Sequence, residues 1–236
     1  MTILTNKMNT VKNAREVSDL QFFMPFNEGA GNDFADIKGD VSVTTTGSSH
    51  LIKYAATMGF GGTANAPTNG SVPNLIGKNI VAAIVGNAYT AASFFTLGMG
   101  NGSSGFSLRI NGLATAISST KGASAIVAPT APTLEQSWLL AISFSKETGL
   151  LTLYEGLNGG SVSQKGTADA SAHLTETAMD NTIEIMNTAV KQDVYSAHVR
   201  TPESLSAETD MLAYLDSLYQ HNLAGRKFIG KTIAAF

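Results

Sequence analysis

Cysteine is absent from all 236 residues. That excludes a disulfide framework, a thiolate metal site and a thiol nucleophile. Charge is scarce as well: Asp, Glu, Lys and Arg make up 14% of the chain, against about 25% in an average soluble domain. The net charge of -3 gives no basic footprint of the kind nucleic-acid binding needs. No run of about 18 apolar residues occurs, so no segment is expected to span a membrane. Met1 to Asn13 carries charges but no apolar stretch, which predicts no secretory signal peptide.

Acids are missing from the middle of the chain. Between Asp40 and Glu135 there is neither Asp nor Glu, and the only basic residues are Lys53, Lys78, Arg109 and Lys121. The remainder is Gly, Ser, Thr, Ala, Asn and aliphatic. A surface so weakly charged is poorly protected against association. It reads either as a Gly/Ser/Thr-rich β-protein or as a surface covered by a partner.

What is present is alternation. Leu20, Phe22, Met24 and Phe26 alternate with Gln21, Phe23 and Pro25. The same period runs through Phe106, Leu108 and Ile110, and through Trp138, Leu140, Ile142 and Phe144. It recurs at Leu151 and Leu153, and at Tyr195, Ala197 and Val199. Each run predicts a strand with one face on a core. Lys78 to Val85 is more continuously apolar and predicts a strand buried on both sides. Gly/Asn-rich turns separate the runs, at 27–32, 98–105, 146–149 and 158–160. Many short strands with such spacing indicate a sandwich or barrel.

One helix is expected near the end. Ser206 suits its start, and Glu208 and Asp210 favour the positive end of its dipole. Met211, Leu212, Leu215, Leu218 and Tyr219 follow at helical spacing, and Asn222 and Gly225 are expected to stop it. This divides the chain into an N-terminal arm (1–18), a domain (19–222) and a C-terminal basic tail (223–236). Lys7, Lys12 and Arg15 in the arm, with Arg226, Lys227 and Lys231 in the tail, are the candidate partner-docking residues.

Three segments resemble laminin-G-like, or concanavalin-A-like, jelly-roll domains. The first is Phe23-Met24-Pro25-Phe26-Asn27-Glu28-Gly29-Ala30-Gly31, followed by Phe34 to Asp40, with Ile37 and Lys38 where small polar residues are usual. The second is the Trp138 strand, the Lys146-Glu147-Thr148-Gly149 turn and Leu151 to Tyr154. The third is Val194 to Arg200, followed by Leu205-Ser206-Ala207-Glu208. The fold implied is all-β: a two-sheet antiparallel jelly-roll sandwich with one C-terminal amphipathic helix.

The resemblance also sets expectations for chemistry. Glycosidases of this fold carry a Glu-x-Asp-x-x-Glu-like strand, and none is present; Glu176, Asp180 and Glu184 do not form one. The histidines His50, His173, His198 and His221 lack metal-ligand spacing, and no G-x-S-x-G elbow occurs. Gly98 to Gly105 lacks the lysine of a phosphate loop and reads as a hairpin loop. Some relatives bind calcium, for which Asp33, Asp36 and Asp40 are the candidates; their alternative role is turn formation. For sugar stacking, Tyr54, Tyr89 and Tyr154 are candidates, while Trp138 matches a core-facing position. For a glycan hydrolase or lyase, Arg109, Arg200 and Tyr195 are the only members that suggest themselves.

The expectation is therefore a protein that is not an enzyme. A signal-free, cysteine-free jelly roll with docking arms looks like a bacteriophage virion component. It would be made in the host cytoplasm, serve as a capsid decoration or tail appendage, and contact other virion proteins and copies of itself. The alternative is a carbohydrate-binding module that recognises glycans through loops at a sandwich end.

Overall fold

The computed structural model describes residues 19–24, 33–36, 39–44, 46–51, 58–63, 67–88, 97–111, 114–127, 137–185, 192–205 and 208–229. The larger sheet has eight strands. Its order is β14 (Ser163–Asp169), β13 (Leu150–Leu157), β12 (Ser137–Phe144), β7 (Ile80–Ala88), β16 (Gln192–Arg200), β5 (Met58–Thr63) and β4 (Thr46–Leu51). Strand β1 (Leu20–Met24) also pairs with β16. The second sheet runs β11 (Gly122–Val127), β10 (Ala114–Ser119), β9 (Ser107–Ile110), β8 (Leu97–Met99) and β15 (Ile183–Ile185). A small third sheet joins β2 (Asp33–Ala35), β3 (Ser42–Thr44) and β6 (Pro67–Asn69). The pairings are antiparallel, and helix α1 spans Glu208–Ile229. The fold is thus the expected all-β, two-sheet antiparallel sandwich with a C-terminal helix.

The period of two decides which side chains enter the core. Trp138, Leu140, Ile142 and Phe144 of β12 face Leu108 and Ile110 of the second sheet within one buried cluster. Leu151 and Leu153 of β13 and Ile80, Ala82 and Ile84 of β7 join them. The other face of the larger sheet is buried too. Val81, Ala83, Val85, Leu139 and Ala141 lie against Met211, Leu215, Tyr219 and Leu223 of α1. The apolar run of β7 is therefore buried on both sides, as its composition implies. For β12 the expectation of one buried face falls short, because α1 covers the second.

Two local rules were overridden. Tyr195 was expected to share a face with Ala197 and Val199, but it packs in the helix-side cluster while they sit in the sandwich core. The register of β16 on β7 shifts between Val194 and Ser196, and this bulge breaks the alternation. The helix does not stop at Asn222 or Gly225 but continues to Ile229. Asn222 donates its side-chain amide to the Leu218 carbonyl one turn back, which satisfies a group inside the helix instead of capping it. Leu223 is buried against the sheet and holds that turn down. Residues 223–229 are thus helix, not tail.

A polar joint ties α1 and β1 to β16. Arg200 makes a two-point ion pair with Asp19, at 2.9 and 2.8 Å, and its guanidinium lies 4.3 Å above the Tyr214 ring. The Tyr214 hydroxyl meets His198 Nε2 at 2.8 Å, and the edge of Phe23 closes the other side of the imidazole. Such a bidentate, half-buried pair fixes geometry more firmly than an exposed one.

Candidate functional site

At one end of the sandwich, β7 begins, β12 ends, β13 begins and β14 ends. There a cleft of about 220 Å³ opens between the two sheets. Its apolar lining is Ile76, Phe106, Phe144 and Leu174, and its polar lining is Lys146, Glu147, His173 and Glu176. Five separate segments contribute. Ile76 and Gly77 precede β7, Phe106 precedes β9, and Phe144 closes β12. Lys146 and Glu147 form the β12–β13 turn, and a 3-10 turn over Ser171–Thr175 brings His173.

Backbone packing sets these walls. Gly149 has φ +71, and a Cβ there would lie 2.3 Å from Ser171 Cα. Its carbonyl accepts the Ala170 amide at 2.8 Å. The absence of a side chain thus lets the 3-10 turn rest directly on the hairpin. On the floor, the Phe106 and Phe144 rings are tilted against each other at 6.0 Å.

The polar groups are fixed by neighbours. His173 Nδ1 lies 2.8 Å from Ser119 Oγ, which itself accepts the Lys121 backbone amide. Burial pushes the His173 imidazole below its ordinary pKa, against the pull of Glu176, so the ring is neutral at pH 7. Lys121 lies 3.7 Å from Glu176 and also donates to Thr175. Desolvation works to raise the Glu147 carboxyl, but hydrogen bonds from Asn79 and Ser145 and the Lys146 charge outweigh it, so it stays below the ordinary value. Lys146 Nζ is 3.9 Å from Glu147. The cleft therefore presents two carboxylates, each with a lysine beside it, and a neutral imidazole, above an aromatic floor.

Of the residues singled out by sequence, His173 and Glu176 line the cleft, and the other described ones fall elsewhere. Arg109 pairs with Glu184 at 3.1 Å on the second sheet, whereas Tyr195 and Arg200 belong to the layer between the larger sheet and α1. The structure does not bring the three together. Asp180 accepts from Ser104 and from the Thr182 amide, and Glu176 serves the cleft. Asp36 Oδ1 accepts the Asp40 and Val41 amides, so it shapes a turn, and burial raises its pKa. Asp40 is exposed, and the Asp33 side chain lies outside the described residues. Among the described residues, no group of three His, Asp or Glu is placed to hold a metal ion.

Trp138 is fully buried, as expected, and Tyr154 is buried with its hydroxyl near Ser143, which removes it as a stacking platform. Tyr54 and Tyr89 lie outside the described residues, as do Lys7, Lys12, Arg15, Lys231 and the side chains of His50, Arg226 and Lys227. The segment 98–105 is the β8–β9 hairpin.

No family model and no curated protein matches the chain. Among solved structures, it is similar to one of botulinum neurotoxin type C, whose cell entry depends on interaction with two ganglioside molecules. The identity is 11% and the TM-score 0.59, over 89% of this chain and 52% of that one. The serotype C1 binding domain gives 13% identity and TM-score 0.59, over 85% of this chain and 52% of that chain. The likeness is one of fold. The chain spans about half the length of these structures.

Proposed function

We propose that this chain is a non-catalytic carbohydrate-binding domain that holds a small sugar in the sandwich-end cleft. The observation that carries this reading is the lining itself: an apolar aromatic floor under a rim of oriented polar groups. A sugar ring has the same two characters, with C–H faces and equatorial hydroxyls. Ligand sites generally combine an apolar concavity with a few placed polar atoms. The volume of 220 Å³ suits one ring and not a long chain, since sites for drug-sized ligands start at about 300 Å³. The fold shared with a ganglioside-dependent neurotoxin supports carbohydrate as the ligand class, without bearing on its charge.

Filling the cleft mouth tests this. Gly77 lines the cleft, has φ +65, and a Cβ there would meet nothing within 4 Å. Asparagine tolerates that backbone conformation. Gly77→Asn is expected to abolish binding on an immobilised glycan array while costing less than about 1 kcal/mol of stability. Undiminished glycan binding by a folded Gly77→Asn protein would place the site elsewhere.

That the domain is carried on a phage particle is a separate proposal. It is supported by the acid-free stretch, which supplies most of the second sheet, β8 to β11. Limited proteolysis of the isolated chain is expected to clip residues 1–18 and 230–236 first. Equal resistance along the whole chain would remove the docking-arm argument.

A further inference from the structure

We propose that the sandwich-end cleft selects neutral sugars over carboxylated ones, with His173 Nε2 as its fixed hydrogen-bond donor; this rests on the carbohydrate-binding reading above. The donor assignment follows from Ser119. Its Oγ already accepts the Lys121 amide at 3.1 Å, and its one proton has His173 Nδ1 at 2.8 Å as its acceptor. A buried hydroxyl that donates to nothing loses a hydrogen bond, so the Ser119 proton goes to Nδ1. The neutral ring then carries its own proton on Nε2, which has no bonding partner among the described residues. Because His173 is held in the cleft wall, that N–H is available to a ligand oxygen.

The acceptors are Glu147 and Glu176. A hydroxyl can donate to either carboxylate while accepting from Nε2–H, so a polyol ring satisfies both kinds of group. A ligand carboxylate can donate to neither, and it adds a third negative charge to a small cleft. The cations do not compensate, since Lys146 faces Glu147 and Lys121 faces Glu176. Discrimination here comes from a repulsive element as much as from an attractive one.

Matched sugar pairs test the proposal, because each differs only at one carbon. Nitrogen-15-labelled protein would be titrated with D-galactose and D-galacturonate, D-glucose and D-glucuronate, and D-mannose and D-mannuronate. The neutral member is expected to move the amide signals of Gly77, Lys146 and His173, and the uronate to bind at least about tenfold more weakly. In Glu147→Gln/Glu176→Gln, one change at an exposed side chain and one at a largely covered side chain leave the lysines unmatched, and the preference is expected to reverse toward the uronate. Imidazole nitrogen shifts of the free protein at pH 7 are expected to show His173 protonated on Nε2. Uronates binding as well as their neutral partners, an unchanged preference in the double variant, or an Nδ1-protonated ring would each overturn the proposal and leave the carbohydrate reading standing. If no sugar of either kind moves the cleft signals, both fall.

Discussion

Gly149→Ala is expected to destabilise the protein by about 3 kcal/mol and to remove ligand binding together with it. Two costs combine. The residue sits at φ +71, where a side chain is strained, and its Cβ would lie 2.3 Å from Ser171 Cα and 2.6 Å from Ser171 N. Those are backbone atoms, so no rotamer change can relieve the clash. Either the β12–β13 turn or the 3-10 turn must move, and the second carries His173. Gly77 provides the internal control. It also has positive φ and lines the same cleft, but a Cβ there meets open space. Urea unfolding of the two variants separates strain from clash. A Gly149→Ala protein no less stable than Gly77→Asn would mean that the close approach does not shape the cleft.

Acid is expected to weaken the fold through His198. Burial, with the Arg200 charge beside it, pushes this imidazole from 6.5 down to about 3. The unfolded chain therefore binds a proton that the folded chain refuses. Stability from this residue is complete above pH 6.5 and is lost as pH falls toward 3. The slope is about 1.4 kcal/mol per pH unit, on the order of 5 kcal/mol over the window. The lowered pKa values of His173 and His221 act in the same direction. Unfolding free energies measured in urea at pH 7, 6, 5 and 4 check the sign and size. His198→Gln is expected to be less stable at pH 7, because it disturbs the contact with Tyr214, but to show a shallower pH slope. An unchanged slope in that variant would move the proton linkage to another group.

The sandwich was legible because most of its strands obey a local rule. Trp138 to Phe144 and Phe106 to Ile110 alternate in sequence and alternate in space. The double burial of β7 could be read from its unbroken apolar run. Tyr195 was misread because a bulge depends on pairing with β7, which leaves no mark in β16 alone. The helix end was misread because Asn222 and Gly225 are stop signals only when nothing packs beyond them, and Leu223 does.

The cleft was illegible for a different reason. Its residues come from segments spread between Ile76 and Glu176, and no two neighbours form a motif. His173 was weighed only as a metal ligand, and Glu176 only as a catalytic carboxylate. The polar Lys146-Glu147 turn and the paired position of Phe144 and Phe106 were the nearest signals, each read as turn or core.

Strand β16 has one more consequence, for the order in which the protein matures. It lies inside the larger sheet, with β7 on one flank and both β1 and β5 on the other. Leu20 is registered against Arg200, so the first and last described strands meet. A growing chain on the ribosome thus holds three strand edges open until residue 200 has emerged. Closure of such distant pairs is slow, and open edges invite pairing with other chains. Production of this protein is therefore most exposed to aggregation late in synthesis, and any truncation before β16 strands its partners.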